Sequence, residues 1–278
     1  MTAEAFTSAW TATRLAVLGD STTFGVGDPL PRGGWRGVGP LLAGALGAEI
    51  ENVSFTGARI ACVRERQLAP ALLARPDAAI LIAGMNDTLR SDFDPAQIRA
   101  DLVHVVTTLN AQGAVVVLAR YHDHGLVFRI PGPLRRALRT RIARLNEVID
   151  EVVAVTGAPC LDLDRLPGAY DTSSWAVDRL HPSELGHRML ATGFAELLAG
   201  TGCAVPNPVS MVCEGGRPAN KAEHIAWLII KGIPWLWRRG RDLVPYAIGI
   251  IVRSFFEKER PAPTAVPAPV AAEAVVRT

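Results

Sequence analysis

The sequence predicts an α/β fold, a parallel sheet with helices on both faces, on three observations. Short β-rich runs recur at residues 15–18, 49–53, 78–83, 114–119 and 158–161, and helix-like segments alternate with them. The first run, Leu15-Ala16-Val17-Leu18, is apolar throughout, as a strand buried on both faces requires. With 278 residues, 49% of them hydrophobic and 20% charged, the chain is long enough to bury one substantial core and carry an appendage.

The first run leads directly into Gly19-Asp20-Ser21-Thr22-Thr23-Phe24-Gly25. Open α/β sheets place ligands beyond the carboxyl ends of their strands, so Ser21 stands where chemistry is done. A free hydroxyl is a weak nucleophile, and Ser21 needs a base, an orienting acid and oxyanion donors from elsewhere. Taken alone, Ser21 reads more readily as a cap of the following helix. Residues 35–46 form the first helix, its beginning blurred by Gly37, Gly39 and Pro40. The second run is followed by Asn52-Val53-Ser54-Phe55-Thr56-Gly57-Ala58-Arg59, and the third by Gly84-Met85-Asn86-Asp87. Since neighbouring parallel strands end along one edge, Ser21, Gly57 and Asn86 can meet there.

Residues 95–112 carry a complete helix signature: Asp94 as N-cap, Pro95 in the first turn, a stripe of Ile98, Leu102, Val105, Val106 and Leu109, and Gly113 as terminator. His104 lies within it as a structural residue. The fourth run precedes Tyr121-His122-Asp123-His124. Those two histidines lack a third ligand, so the segment reads as a substrate-side loop, with Arg120 or His122 touching the acyl or alcohol part. Residues 133–156 repeat the amphipathic design, with Leu134, Leu138, Ile142, Leu145, Val148, Ile149 and Val152 inward and the arginines 135, 136, 139, 141 and 144 mostly on a solvated face. Asp178-Arg179-Leu180-His181-Pro182 precedes the last helix of the core, 183–199, which Ser183 caps. His187 reads as an ordinary residue of that helix, and Trp35 and Phe24 either line a pocket or pack.

A formal net charge of +2 is too small to imply a nucleic-acid partner. Cys62, Cys160, Cys203 and Cys213 show no CxxC and no nearby histidine, which disfavours zinc and fits separate reduced thiols. Residues 1–13 lack a basic n-region and an apolar h-region, so residence in the cytoplasm is expected.

Four blocks, Gly19-Asp20-Ser21, Gly57 in its Asn-x-Ser-x-x-Gly setting, Gly84-x-Asn86-Asp87 and Asp178-x-x-His181, stand in the order found in the SGNH, or GDSL, hydrolases, and the chain resembles that family from about residue 14 to 200. The resemblance implies a three-layer α/β/α, flavodoxin-like domain and ester hydrolysis with neither cofactor nor metal. It makes Ser21 the nucleophile, His181 the base, Asp178 the orienting acid, and Ser21 N–H, Gly57 N–H and the Asn86 amide the oxyanion hole. Asp20 and Asp87 are then structural, bonding nearby backbone and ordering the Asn86 turn. Acyl transfer, carbohydrate O-deacetylation and a non-catalytic binding module stand as alternatives.

The domain reading is a hydrolase domain over 1–200, a linker or wrap over 201–220, a basic, Trp-rich helical appendage over 221–260 and a disordered Pro/Ala-rich tail over 261–278. Residues 221–260 hold eight Lys/Arg against four Asp/Glu, a local +4. Within 224–256 are Trp227, Trp235 and Trp237, beside Arg238 and Arg239, and apolar runs too short to span a bilayer. That pattern suits peripheral contact with the inner membrane face, with docking on the core or homo-oligomerisation as the other readings.

Overall fold

The computed structural model describes residues 9–127, 132–215 and Ile248. Among them, five parallel strands form a sheet in the order β2-β1-β3-β4-β5: β1 Arg14–Gly19, β2 Glu49–Asn52, β3 Ala78–Ile82, β4 Val115–Arg120 and β5 Cys160–Asp162. The order reverses between β1 and β3, so a crevice opens beyond their carboxyl ends.

Helices α2 (Val38–Leu46) and α9 (Glu184–Gly200) cover one face. The other carries α6 (Pro95–Ala111), α8 (Gly132–Thr156) and a segment in which α3 (Ile60–Cys62), a π turn (Val63–Gln67) and α4 (Leu68–Leu73) follow without a break. Short helices α1 (Ser21–Phe24), α5 (Met85–Thr88) and α7 (His124–Val127) start at or soon after the ends of β1, β3 and β4. The α/β/α architecture is the expected one.

Where the sequence carried full cap signals, the elements form as read. Asp94 accepts from Ala96 N and Gln97 N at 2.9 and 3.2 Å, and Ile98, Leu102, Val105, Val106 and Leu109 are buried. Ser183 accepts from Gly186 N at 3.2 Å. Four readings need correction. The first helix begins at Val38, because Trp35 pairs with Pro29 in an antiparallel bridge. The second run is an edge strand with every residue exposed, since no strand lies beyond it and only Ile50 is apolar in Glu49–Asn52. Arg141 does not share the solvated face of α8: it is buried, and its guanidinium donates to the carbonyls of Thr88 and Arg90. Segment 60–73, given no element of its own in the sequence, is helical.

Residues 201–215 run back over the core. Cys203 bridges Trp10, Asn207 N donates to Ala45 O, and Glu214 N donates to Glu184 Oε1 at 2.7 Å. The appendage over 221–260 and the tail over 261–278 lie, but for Ile248, outside the described residues. No helix among the described residues is long and apolar enough to cross a membrane.

Candidate active site

The end of β1 is held open by a side chain. β1 outruns β2 by two residues, leaving the N–H and C=O of Gly19 without a strand partner. The Gln67 amide replaces one: Gly19 N donates to Gln67 Oε1 and Gln67 Nε2 donates to Gly19 O, both at 2.8 Å and both buried. On the other side a Cβ at Gly19 would stand 2.1 Å from Ile82 O, at a φ of +134°, so only glycine fits. The chain then turns sharply into α1. Asp20 is its N-cap, accepting from Thr22 N at 3.0 Å, and Ser21 is its first residue, with an N–H that has no intrahelical acceptor. The cap belongs to Asp20, and the Ser21 hydroxyl is left for other partners.

Across 160 residues of sequence, His181 Nε2 lies 2.8 Å from Ser21 Oγ, and His181 Nδ1 lies 2.6 Å from Asp178 Oδ2. The Asp178–His181 loop is built for this. Asp178 Oδ1 accepts from Leu180 N and His181 N at 2.9 and 3.0 Å, a turn made while Arg179 sits at a φ of +57°, a conformation uncommon outside glycine. Burial raises the Asp178 carboxyl, but the hydrogen bond and charge of His181 and the two backbone donors outweigh it and hold the group below its usual range.

The second and third blocks meet the first. Asn86 Nδ2 donates to Ala58 O at 3.0 Å, beside Gly57, and to Asp20 Oδ2 at 3.3 Å, beside Ser21. Ser21, Gly57, Asn86, Asp178 and His181 therefore gather at one edge, all half-buried except Asp178, which is buried. Asp20 does more than bond its own backbone, because it also holds Asn86. Its burial, opposed by the Thr22 N–H and the nearby His181, pushes the carboxyl up to about 6. Asp87 ties α5 to the neighbouring loop: it accepts from Ile60 N at 3.2 Å and pairs with Arg59 at 3.3 Å, with burial raising its carboxyl.

An ion-pair cluster fixes the far side. Arg36 binds Asp28 at 2.9 Å and Glu184 at 2.7 Å, and Arg188 binds the same Glu184 at 3.0 Å. The loop after α1 is thereby held on the first turn of α9, three residues past His181. His187 is more than an ordinary helix residue: fully buried, its Nε2 donates to Val26 O at 3.0 Å, and burial pulls its pKa down to about 4.

Next to His181 an inward cavity of about 70 Å³ is walled by Ile82, Leu163, Leu166, Trp175, Met189 and Leu190, with His122 and His124 at its side. The two rings bond each other, His124 Nδ1 to His122 Nε2 at 3.0 Å, and burial pulls them down to about 3 and 4. Arg120 does not reach this space, because Asp162 and Asp150 bind it at 3.0 and 3.2 Å. Trp35 and Phe24 are each 40% exposed and do not line it. Among the described residues no group of three or more His, Cys, Asp or Glu is arranged to hold a metal, and the four cysteines are free.

Gln67 and Arg141 were not singled out from the sequence. Gln67 left no signal there, since a lone glutamine in a helical stretch resembles any surface residue. Arg141 left a weak one, a position between the stripe residues Leu138 and Ile142.

The model of the GDSL-like lipase/acylhydrolase family matches residues 17–189, which takes in all four blocks. A GDSL-like esterase of Mycobacterium tuberculosis is 33% identical over 121 residues, 42% of this chain, and the match spans 38% of that relative's length. Solved structures share the fold. An alpha/beta hydrolase from the metagenome of Lake Arreo, Spain, superposes with a TM-score of 0.55 at 22% identity, covering 70% of this chain and 97% of that one. An acetylxylan esterase from Geobacillus stearothermophilus gives 0.53 at 19%, covering 69% and 95%. A family match that runs over more than half of the chain, from the strand before Ser21 to the helix after His181, makes this protein a member of the GDSL-like lipase/acylhydrolase family.

Proposed function

We propose that the chain is a serine ester hydrolase working through an acyl-enzyme on Ser21. The observation that carries this reading is the chain of two short contacts, Ser21 Oγ to His181 Nε2 at 2.8 Å and His181 Nδ1 to Asp178 Oδ2 at 2.6 Å. His181 Nε2 takes the Ser21 proton as Oγ attacks the acyl carbonyl. Asp178 holds the tautomer with Nδ1 protonated and stabilises the imidazolium that forms. The tetrahedral oxyanion is met by the N–H groups of Ser21 and Gly57 and by Asn86 Nδ2, whose longer bond, to Asp20, is given up for it. Collapse breaks the ester C–O bond, and His181 passes its proton to the leaving alcohol. Water then attacks the Ser21 ester with His181 again as base, and the carboxylic acid leaves.

Neither metal nor cofactor is required by this sequence of steps. The segment 224–256, read from sequence alone as an amphipathic, Trp-bearing stretch with basic flanks, belongs to the same reading as a peripheral contact with the inner membrane face.

The test is turnover of p-nitrophenyl esters by the wild type, Ser21→Ala and His181→Ala, with folding checked by circular dichroism. Turnover is expected to fall in both variants by on the order of 10⁴-fold or more. A folded Ser21→Ala that keeps wild-type turnover sinks the mechanism.

A further inference from the structure

Resting on that reading, we propose that the cavity beside His181 is the acyl subsite, and that it selects short straight-chain acyl groups, of about four carbons. Position comes first. Its wall includes Thr22, the residue after the nucleophile, and Leu180 and Pro182, the residues on either side of His181, so it begins within one residue of both reacting side chains. Its other walls, among them Ile82, Leu163 and Leu190, are buried, so it runs inward from the site and not along the surface.

That direction distinguishes acyl from alcohol. The alcohol must depart after the first step and water must enter where it stood, which calls for an open side. The acyl chain remains bonded to Ser21 between the two steps, and an interior cavity suits the part that stays. The chemistry of the walls agrees. They are apolar but for a few groups, and the two imidazoles spend one ring nitrogen each on the other and lie 5.0 and 5.1 Å, centroid to centroid, from Trp175. Both rings are neutral at pH 7, so no charge opposes an aliphatic chain.

Size sets the length. A volume of about 70 Å³ accepts about three heavy atoms beyond the carbonyl, since a dry apolar cavity of roughly 150 Å³ holds one benzene.

The experiment is kcat/KM for p-nitrophenyl esters from acetyl to dodecanoyl, repeated with one acyl group on several alcohols, for the full chain and two cavity variants. In the wild type the value is expected to rise about fourfold per methylene up to butanoyl and to fall beyond it. Ala169→Leu, which fills the cavity, should lower the butanoyl-to-acetyl ratio about tenfold. Leu166→Ala, which enlarges it, should move the optimum to longer chains, and it carries the test if the first variant does not fold. A flat series, an optimum unmoved by either change, or selectivity that follows the alcohol overturns the subsite while Ser21-dependent hydrolysis persists. Absence of hydrolysis across the whole series overturns the esterase reading and the subsite with it.

Discussion

At the residue scale the site turns on what each polar atom is committed to before substrate arrives. Asn86 Nδ2 has two hydrogens, and both are engaged, one with Ala58 O and the longer one with Asp20. If the amide is an oxyanion donor, removing it should cost the transition state far more than the ground state. Asn86→Ala is expected to lower kcat by about 10²–10³-fold with little change in KM, read from steady-state kinetics on the best ester. The asparagine was legible in sequence because it sits in a block directly after a strand. Its partner was not: Asp20 is 66 residues away, and its reach to Asn86 depends on how closely β1 and β3 end together. Arg120 shows the opposite failure. An arginine at a strand end looked available for substrate, and two carboxylates from α8 and the end of β5 claim it.

Among the elements, the loop after α1 and the loop before α9 have to be locked together for Ser21 and His181 to meet. Gly27 is at their closest approach: a Cβ there would stand 2.0 Å from Pro182 O, and the residue's φ is +105°. Gly27→Ala should therefore displace the loop that bears His181. A shift of about 1 Å costs on the order of a hundredfold in rate, so kcat should fall that far in protein that still melts cooperatively. Full activity in a folded Gly27→Ala would show that the loops are positioned some other way. Helices whose signals are local, α6 and α9 with their caps, could be read directly. Segment 60–73 could not be, because its π turn breaks the 3.6-residue repeat at the very place where Gln67 is turned toward Gly19.

For the molecule as a whole, burial of titratable groups sets the response to acid. His122, His124 and His187 are buried neutral, with pKa values pulled below 6.5 to about 4, 3 and 4. Between pH 6 and 4 the unfolded chain protonates all three while the folded chain resists, so each contributes stability that is lost as pH falls. Asp20 acts the other way. Its carboxyl, raised from 3.8 to about 6, binds a proton more readily when folded, so its contribution is present at low pH and lost as pH rises through 6. Near pH 5 unfolding should take up roughly two protons net, a loss of on the order of 2–3 kcal/mol per pH unit, measurable by urea unfolding at pH 4.5, 5 and 5.5. Asp20→Asn removes one of two opposing carboxyls, the other being Asp87, and should steepen that slope by up to about one proton. A slope unchanged or shallower in this variant contradicts the assignment.

The sequence by itself determined the α/β class, the five strands, the capped helices and the five residues that converge at the sheet edge. These are set by local pattern: runs of apolar residues, caps one to three residues away, and motif blocks placed directly after strands. Tertiary structure alone decided that β2 is an exposed edge, that Gln67 stands in for a missing strand, that Arg141 turns inward and that a cavity of limited volume lies beside His181. Each of these depends on what residues distant in sequence leave unfilled or unsatisfied, and packing settles that only when the whole chain is assembled.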